Sequence, residues 1–272
     1  MADMKGRVLI IAGSDSGGGA GIQADIKSVT ALGGFAMTAI TALTAQNTLG
    51  VHGIHDVPTD FVREQMRVVL SDIGADCIKI GMLHRAEIIH AVVDMLQEHA
   101  PGVPIVADPV MIAKGGASLL ADAAIDALKS RLLPVASLIT PNIPEAEVLS
   151  GLHVENLEDM AAAAEVLLAM GPGAVLVKGG HLNDRARVAD CLLNNSGGRE
   201  VFEDARIDTP NTHGTGCTLA SAIACGIAQG LSVRDAVVRA RAYVRLAIRT
   251  NPGYGQGHGP LNHAVTVSEF NG

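Results

Sequence analysis

Short apolar runs rich in β-branched residues alternate along this chain with longer stretches in which apolar side chains recur every three or four positions. Residues 8–11, 77–80, 105–107, 138–140 and 174–177 read as buried strands, because each is mostly apolar and too short to be a helix. Strands separated by amphipathic helices predict a mostly parallel sheet with helices on both faces, since a parallel pair needs a long crossover. Three helix starts are legible. Thr59 precedes the apolar stretch 61–70, Asn156 has Asp159 three residues on, and Ser232 has Asp235 three residues on, as in capping boxes with Asp in place of Glu. No Pro/Ser-rich linker, charge block or repeat breaks the alternation, and the loosest segment, 251–259, lies near the end of the sequence. Residues 1–272 are therefore expected to form a single α/β domain.

Composition narrows the function classes. The 272 residues carry 20 Lys+Arg against 28 Asp+Glu, a net charge of −8, with 2% aromatics and no Trp. That balance argues against a phosphate-tracking surface with stacking platforms, and so against a nucleic-acid or membrane-surface partner. No apolar run reaches the roughly 20 residues that cross a bilayer. The apolar stretch 8–13 stops at Ser14 and Asp15, too early for a secretory leader. Cys77, Cys191, Cys217 and Cys225 form no CxxC pair and the histidines no HxxxH spacing, so thiols in a reducing cytoplasm are expected in preference to disulfides or zinc.

The residues with chemistry cluster at strand-to-helix junctions. AGSDSGGGAGIQAD (12–25) lets backbone approach a ligand at a helix start, yet contains no GxGxxG, and no GxxxxGK[ST] occurs in the chain. NTHGTGCT (211–218) sets Gly214, Thr215 and Gly216 before a long apolar helix, where successive free N–H groups make an anion hole. Cys217 in that first turn is either a thiol of lowered pKa or a small buried hydrophobe. His213 beside it admits a Cys/His dyad, on sequence adjacency alone. In TPNIPEAE (140–147), Asn142 and Glu145 suit a magnesium ion, or a turn residue and a first-turn dipole partner. Asp108 in DPVMIAKGG (108–116) either adds a second acidic group or caps a loop. Lys178 in VKGGH (177–181) ends a strand at the edge where open α/β sheets bind ligands, and Lys79 in KIGML (79–83) has the same ambiguity. Lys114 lies in a Gly-bounded stretch suited to a flap. Gln46 in ITALTAQNT (40–48), just after a buried-looking strand, carries donor and acceptor together, as a heterocycle edge requires, or is a solvent-facing residue at a strand end. Arg241, Arg245 and Arg249 form a helical stripe read as a solvated face.

An anion hole, a metal pair, a phosphate lysine and a heterocycle reader together suggest phosphoryl transfer. In this order, the seven motifs between about residues 8 and 230 resemble the hydroxymethylpyrimidine/phosphomethylpyrimidine kinases of thiamine biosynthesis, in the ribokinase-like superfamily. The resemblance implies a sheet of about eight or more strands flanked by helices on both faces, ATP with Mg2+, and commonly a homodimer. It implies that Gly13, Ala20, Asp25, Gln46, Met82 and Val110 line a pyrimidine pocket, with Gln46 reading the aminopyrimidine edge. Asn142 and Glu145 would organise magnesium beside Asp108, and Lys178 would meet the ATP phosphates. Gly214, Thr215 and Gly216 would hold the transferring phosphoryl group, and the Cys217 thiolate would take the proton of the hydroxymethyl group. The implied substrates are 4-amino-5-hydroxymethyl-2-methylpyrimidine and then its monophosphate. Ser16 stands where many relatives have proline, which is expected to loosen the turn. The competing readings are a pyridoxine/pyridoxal kinase of the same superfamily and a binding protein without turnover.

Overall fold

A computed structural model describes residues 4–111, 122–180, 182, 184 and 186–268. The flap expected around Lys114, and His181, lie outside the described residues. Among the described residues nine strands form one sheet in the order β3-β2-β1-β4-β5-β6-β7-β8-β9. They are β1 (Arg7–Asp15), β2 (Phe35–Asn47), β3 (Gly50–Asp56), β4 (Cys77–Ile80), β5 (Ile105–Ala107), β6 (Leu138–Ile139), β7 (Ala174–Lys178), β8 (Arg187–Asn194) and β9 (Arg199–Ala205). The six strands from β2 to β7 pair in parallel, and an antiparallel strand or hairpin closes each edge. This is the mostly parallel α/β sheet that the alternating pattern predicts. The four strands missing from that pattern are β2, β3, β8 and β9. The edge strands β3 and β9 are exposed or half-buried along their length, so no continuous apolar run marks them. β8 lies inside the sheet and is buried from Ala189 to Leu193, but Asp190 interrupts its apolar run.

Alternation within β1 assigns the two faces. Leu9 and Ile11 point into one core, with α2 (Thr59–Asp72), α3 (Ala86–His99), α4 (Asp122–Ala127), α5 (Ile143–Ser150) and α6 (Leu157–Leu168). Val8, Ile10 and Ala12 point into the other, with α1 (Gly21–Ala31), α7 (Thr215–Ala228) and α8 (Val233–Arg249). Both faces are covered by helices, which is why the central strands are nearly continuous apolar runs, with Lys79 of β4 a fully buried exception. No helix among the described residues is long and apolar enough to cross a membrane.

Two of the three expected caps form. Asn156 Oδ1 accepts from the amides of Glu158 and Asp159 at 2.9 and 3.1 Å, and Ser232 Oγ accepts from Asp235 N at 3.1 Å. Thr59 is different: it is already helical, and Pro58 occupies the cap position with no side-chain bond. Pro58 has a φ of −55°, and its carbonyl accepts from Phe61 and Val62, so the chain enters the helix without a hydroxyl. The arginine stripe also divides. Arg249 is exposed, but Arg241 is 8% exposed and paired with Asp190 and, at 2.6 Å, with Asp204, while Arg245 reaches Asp204 at 3.1 Å. The solvated-face reading fails for Arg241 because β8 and β9, absent from the sequence pattern, supply its carboxylates.

Asn156→Ala should cost about 1 kcal/mol of unfolding free energy, since two first-turn amides lose their acceptor, whereas Thr59→Ala should stay within about 0.5 kcal/mol. Urea denaturation of both variants measures the contrast, and equal losses would show that the Asn156 bonds contribute nothing specific.

Candidate active site

The carboxyl ends of the parallel strands open along one edge into a cavity of about 910 Å³. Each loop that follows a strand delivers part of its lining. Gly13, Ala20, Gln46, Met82 and Val110 border one region, and Asp108, Asn142, Glu145, Lys178 and Gly214 to Cys217 border the adjoining one. The sequence-predicted residues thus converge, with one exception. Asp25 does not reach the cavity: it is fully buried beneath it, with Oδ2 accepting from Lys79 Nζ at 2.8 Å and Oδ1 from Ser221 Oγ at 2.7 Å. Both oxygens being engaged, Asp25 acts on a ligand only through Lys79, which does border the cavity.

Asp15, which ends β1, organises the glycine-rich turn. Its Oδ1 accepts from Gly17 N at 2.8 Å, and its Oδ2 accepts from Gly19 N at 3.1 Å and Ala20 N at 2.8 Å. The same Oδ2 lies 2.8 Å from His213 Nε2, so one carboxylate joins the glycine turn to the loop before α7. Burial pushes Asp15 upward, but the bonds from His213, Ala20 and Gly17 outweigh it and hold the carboxyl below its ordinary value. The contact between the loops is tight: a Cβ on Gly214, whose φ is +83°, would strike the carbonyl oxygen of Gly19, and a Cβ on Gly19 would strike the His213 ring. His213 therefore has a positioning partner, Asp15, in place of the Cys/His dyad its sequence neighbourhood admits. His213 stands out in the sequence only by its place beside Cys217, and its pairing with Asp15 does not, because 198 positions separate them.

Gln46 is half-buried beside this junction. Its Oε1 accepts from Thr44 Oγ1 at 3.0 Å, and its Nε2 lies 3.5 Å from His213 Nε2. Its backbone is pinned as well: Gln46 N donates to Ser16 Oγ and Ser16 Oγ donates to Gln46 O, both at 2.9 Å. Ser16 thus tightens the turn that it was expected to loosen, since a hydroxyl replaces the strand partner that β1 no longer provides.

At the other end, α7 begins at Thr215 and turns its first amides toward the cavity, where no intrahelical partner exists for them. Thr215 N is the exception to the expected run of free donors, because it donates to Thr212 O at 3.3 Å. A Cβ on Gly216 would lie 3.2 Å from Lys178 Nζ and 3.3 Å from Asp108 Oδ2, so the lysine and the carboxylate sit directly against this turn. Lys178 donates to Asp108 Oδ1 at 2.7 Å, and Thr140 Oγ1 donates to the same oxygen at 3.0 Å. Lys178 is therefore a fixed cation aimed at the cavity and not a solvated strand end.

Asn142 and Glu145 realise the structural reading first. Asn142 Oδ1 accepts from Glu145 N at 2.9 Å and Glu145 Oε2 accepts from Asn142 N at 2.8 Å, closing a capping box on α5. The box uses only one acceptor site on each, and both still border the cavity. Burial raises Glu145 to about 7, with Lys178 opposing and Asp108 adding to the shift. A carboxylate so reluctant to ionise gains from a nearby cation, so Asn142 and Glu145 are a donor set that would hold a magnesium ion, which would neutralise phosphate charge there. Among the described residues no three His, Cys, Asp or Glu side chains are grouped to hold a metal by themselves.

Cys217 borders the cavity, partly exposed, in the first turn of α7. The expected lowering of its pKa does not occur. Burial pushes the thiol up to about 11; Lys79 pulls it down, while Asp25 and Asp108 push it further up. Desolvation exceeds the helix dipole, whose effect on a terminal group is a fraction of a unit charge.

Residues 15–262 match the sequence family described as phosphomethylpyrimidine kinase. The chain is 46% identical to the hydroxymethylpyrimidine/phosphomethylpyrimidine kinase of Streptomyces coelicolor, covering 96% of each sequence. It is 51% identical, over 97% of its length, to the thiamine biosynthesis bifunctional protein ThiED of Geobacter sulfurreducens, and spans 54% of that longer protein. Among solved structures, an ADP complex of Bacillus subtilis pyridoxal kinase aligns with a TM-score of 0.87 at 35% identity, over 96% of this chain and 98% of that one.

Asp15→Asn should cost about 1.5–3 kcal/mol at neutral pH, the worth of charge-assisted bonds to buried partners. The sign with pH follows from the lowered folded-state value. The charged form contributes fully above the unfolded value of about 3.9, and its contribution is lost as pH falls through the lower value of the folded protein. The stability gap between wild type and variant, from urea melts across acid pH, should therefore shrink on acidification. A constant gap would show that the Asp15 charge is not what holds the two loops.

Proposed function

The chain belongs to the phosphomethylpyrimidine kinase family, and from that premise we propose that it transfers the γ-phosphoryl group of ATP to 4-amino-5-hydroxymethyl-2-methylpyrimidine and then to the resulting monophosphate. The protein is a phosphotransferase. What carries the substrate assignment is a single juxtaposition: Gln46 and the phosphate-binding turn at Gly216 open into the same cavity, tied together through Asp15 and His213. A ring read by Gln46, with Gly13, Ala20, Met82 and Val110 around it, leaves its hydroxymethyl group facing α7. ATP use is supported by the ADP complex of the pyridoxal kinase with the same fold.

In this proposal the amides of Gly216 and Cys217 and the Lys178 ammonium take the charge that develops on the transferring phosphoryl oxygens. Asp108 fixes Lys178 in position. Glu145, through the oxygen not used by its capping box, and Asn142 would hold magnesium, which supplies charge neutralisation on the phosphates. Cys217 as thiolate accepts the alcohol proton while the new O–P bond forms and the bridging P–O bond of ATP breaks, so no phosphocysteine arises. Burial opposes that thiolate, so turnover limited by chemistry should rise with pH from neutral toward the alkaline range. We include in the same proposal one kinase domain over residues 1–272 and a cytoplasmic homodimer, on the family resemblance and the free cysteines. Pyridoxal phosphorylation is the second reading, favoured by the structural similarity to pyridoxal kinase.

Liquid chromatography of reactions with Mg-ATP and the pyrimidine alcohol should show monophosphate followed by diphosphate. Turnover of pyridoxal alone would replace the pyrimidine reading, and turnover of neither would leave only binding. Cys217→Ala should lower kcat by about 10²–10⁴ with KM within a few-fold, the worth of a positioned base. A near-wild-type kcat with chemistry limiting would reduce Cys217 to packing.

A further inference from the structure

Lys79 is a buried cation that the steps above do not use. It is 0% exposed on β4, flanked by Ile78 and Ile80, which point into the core of the opposite face. Taking an ion pair out of water costs several kcal/mol per ion, and well-packed apolar residues often serve stability as well or better. Its position therefore asks for a role other than stability. Two helices take part in holding it. Asp25 of α1 accepts from its Nζ at 2.8 Å, and Ser221 of α7 donates to the other oxygen of Asp25 at 2.7 Å. Ser221 lies four residues after Cys217, so both project from one face of α7, which packs on β4. Gly81 completes the niche, because a Cβ there would come within 2.8 Å of Lys79 Nζ.

We propose that Lys79 is a positioning residue for phosphoryl transfer: clamped by Asp25 and Ser221 beneath the first turn of α7, its ammonium favours the anionic form of Cys217. This rests on the reading of Cys217 as the base. The charged groups facing the thiol are Lys79 from β4, Asp25 from α1, Asp108 after β5 and Lys178 at the end of β7. Burial lowers the Lys79 affinity for its proton, but Asp25, Cys217 and Asp108 outweigh it and keep the ammonium charged. Lys79 keeps its proton throughout; the alcohol proton passes to Cys217 Sγ, and the bridging electron pair leaves with ADP. Ser221 engages the Asp25 oxygen that Lys79 does not.

The test is the rate at which iodoacetamide alkylates Cys217 at neutral pH, read by peptide mass in wild type, Lys79→Met, Asp25→Asn and the double variant. Only thiolate reacts, so the rate reports the ionised fraction. Lys79→Met should react about tenfold more slowly than wild type and Asp25→Asn faster, in keeping with removal of a charge of opposite or like sign near the thiol. The double variant, which leaves no unpaired buried charge, should react more slowly than Asp25→Asn. Shifts of both single variants in the same direction would indicate loosened structure and overturn the inference. Should Lys79→Met not fold, equal rates in Asp25→Asn and the double variant would overturn it. Failure of the base assignment shows separately, as turnover retained by Cys217→Ala while the alkylation rates still follow this order.

Discussion

The Asp15 carboxylate is the constraint on which the ligand-binding edge depends. Where β1 ends, its ladder bonds end with it, and the turn that follows has amides to satisfy but no neighbouring strand to satisfy them. Asp15 takes three of those amides and His213 besides. The turn can then run close to the sheet edge, and the loop entering α7 is drawn against it. Gln46 and Cys217 come to share one cavity for the same reason, although the strand and helix that carry them lie on different parts of the sheet.

The buried middle of the sheet was legible because burial on both faces leaves an apolar run that spacing alone can find. The strands at 77–80 and 105–107 have the boundaries that the runs predict. Thr59 illustrates a limit: a polar residue at a helix start looks like a cap whether or not the backbone needs one, and there the preceding proline sets the entry. β8 and β9 were hidden for a different reason. Asp190 breaks the apolar run of β8, and Asp190 and Asp204 face α8, so the arginine stripe looked solvated until these partners were in place.

The site residues divide along the same line. Glycine turns and strand-end side chains follow from local rules, and all but Asp25 of the expected set border the cavity. Asp25, Lys79 and Ser221 form a contact among residues 54 and 196 positions apart, which no motif spacing encodes. Local reasoning also erred on the thiol. A helix N-terminus is visible in the sequence and argues for a lowered value, whereas the desolvation that outweighs it depends on residues distant in the sequence that remove water from the thiol.

The contact between Gly19 and Gly214 has a mechanical consequence. With the Gly19 carbonyl seated where a Gly214 side chain would be, and the His213 ring where a Gly19 side chain would be, the glycine turn and the loop before α7 cannot shift independently. The two halves of the site behave as a rigid caliper. The conformational freedom of both loops is given up once, during folding, so neither ligand has to supply that ordering when it binds. The distance between the glycine turn and the start of α7 is thereby a property of the fold itself.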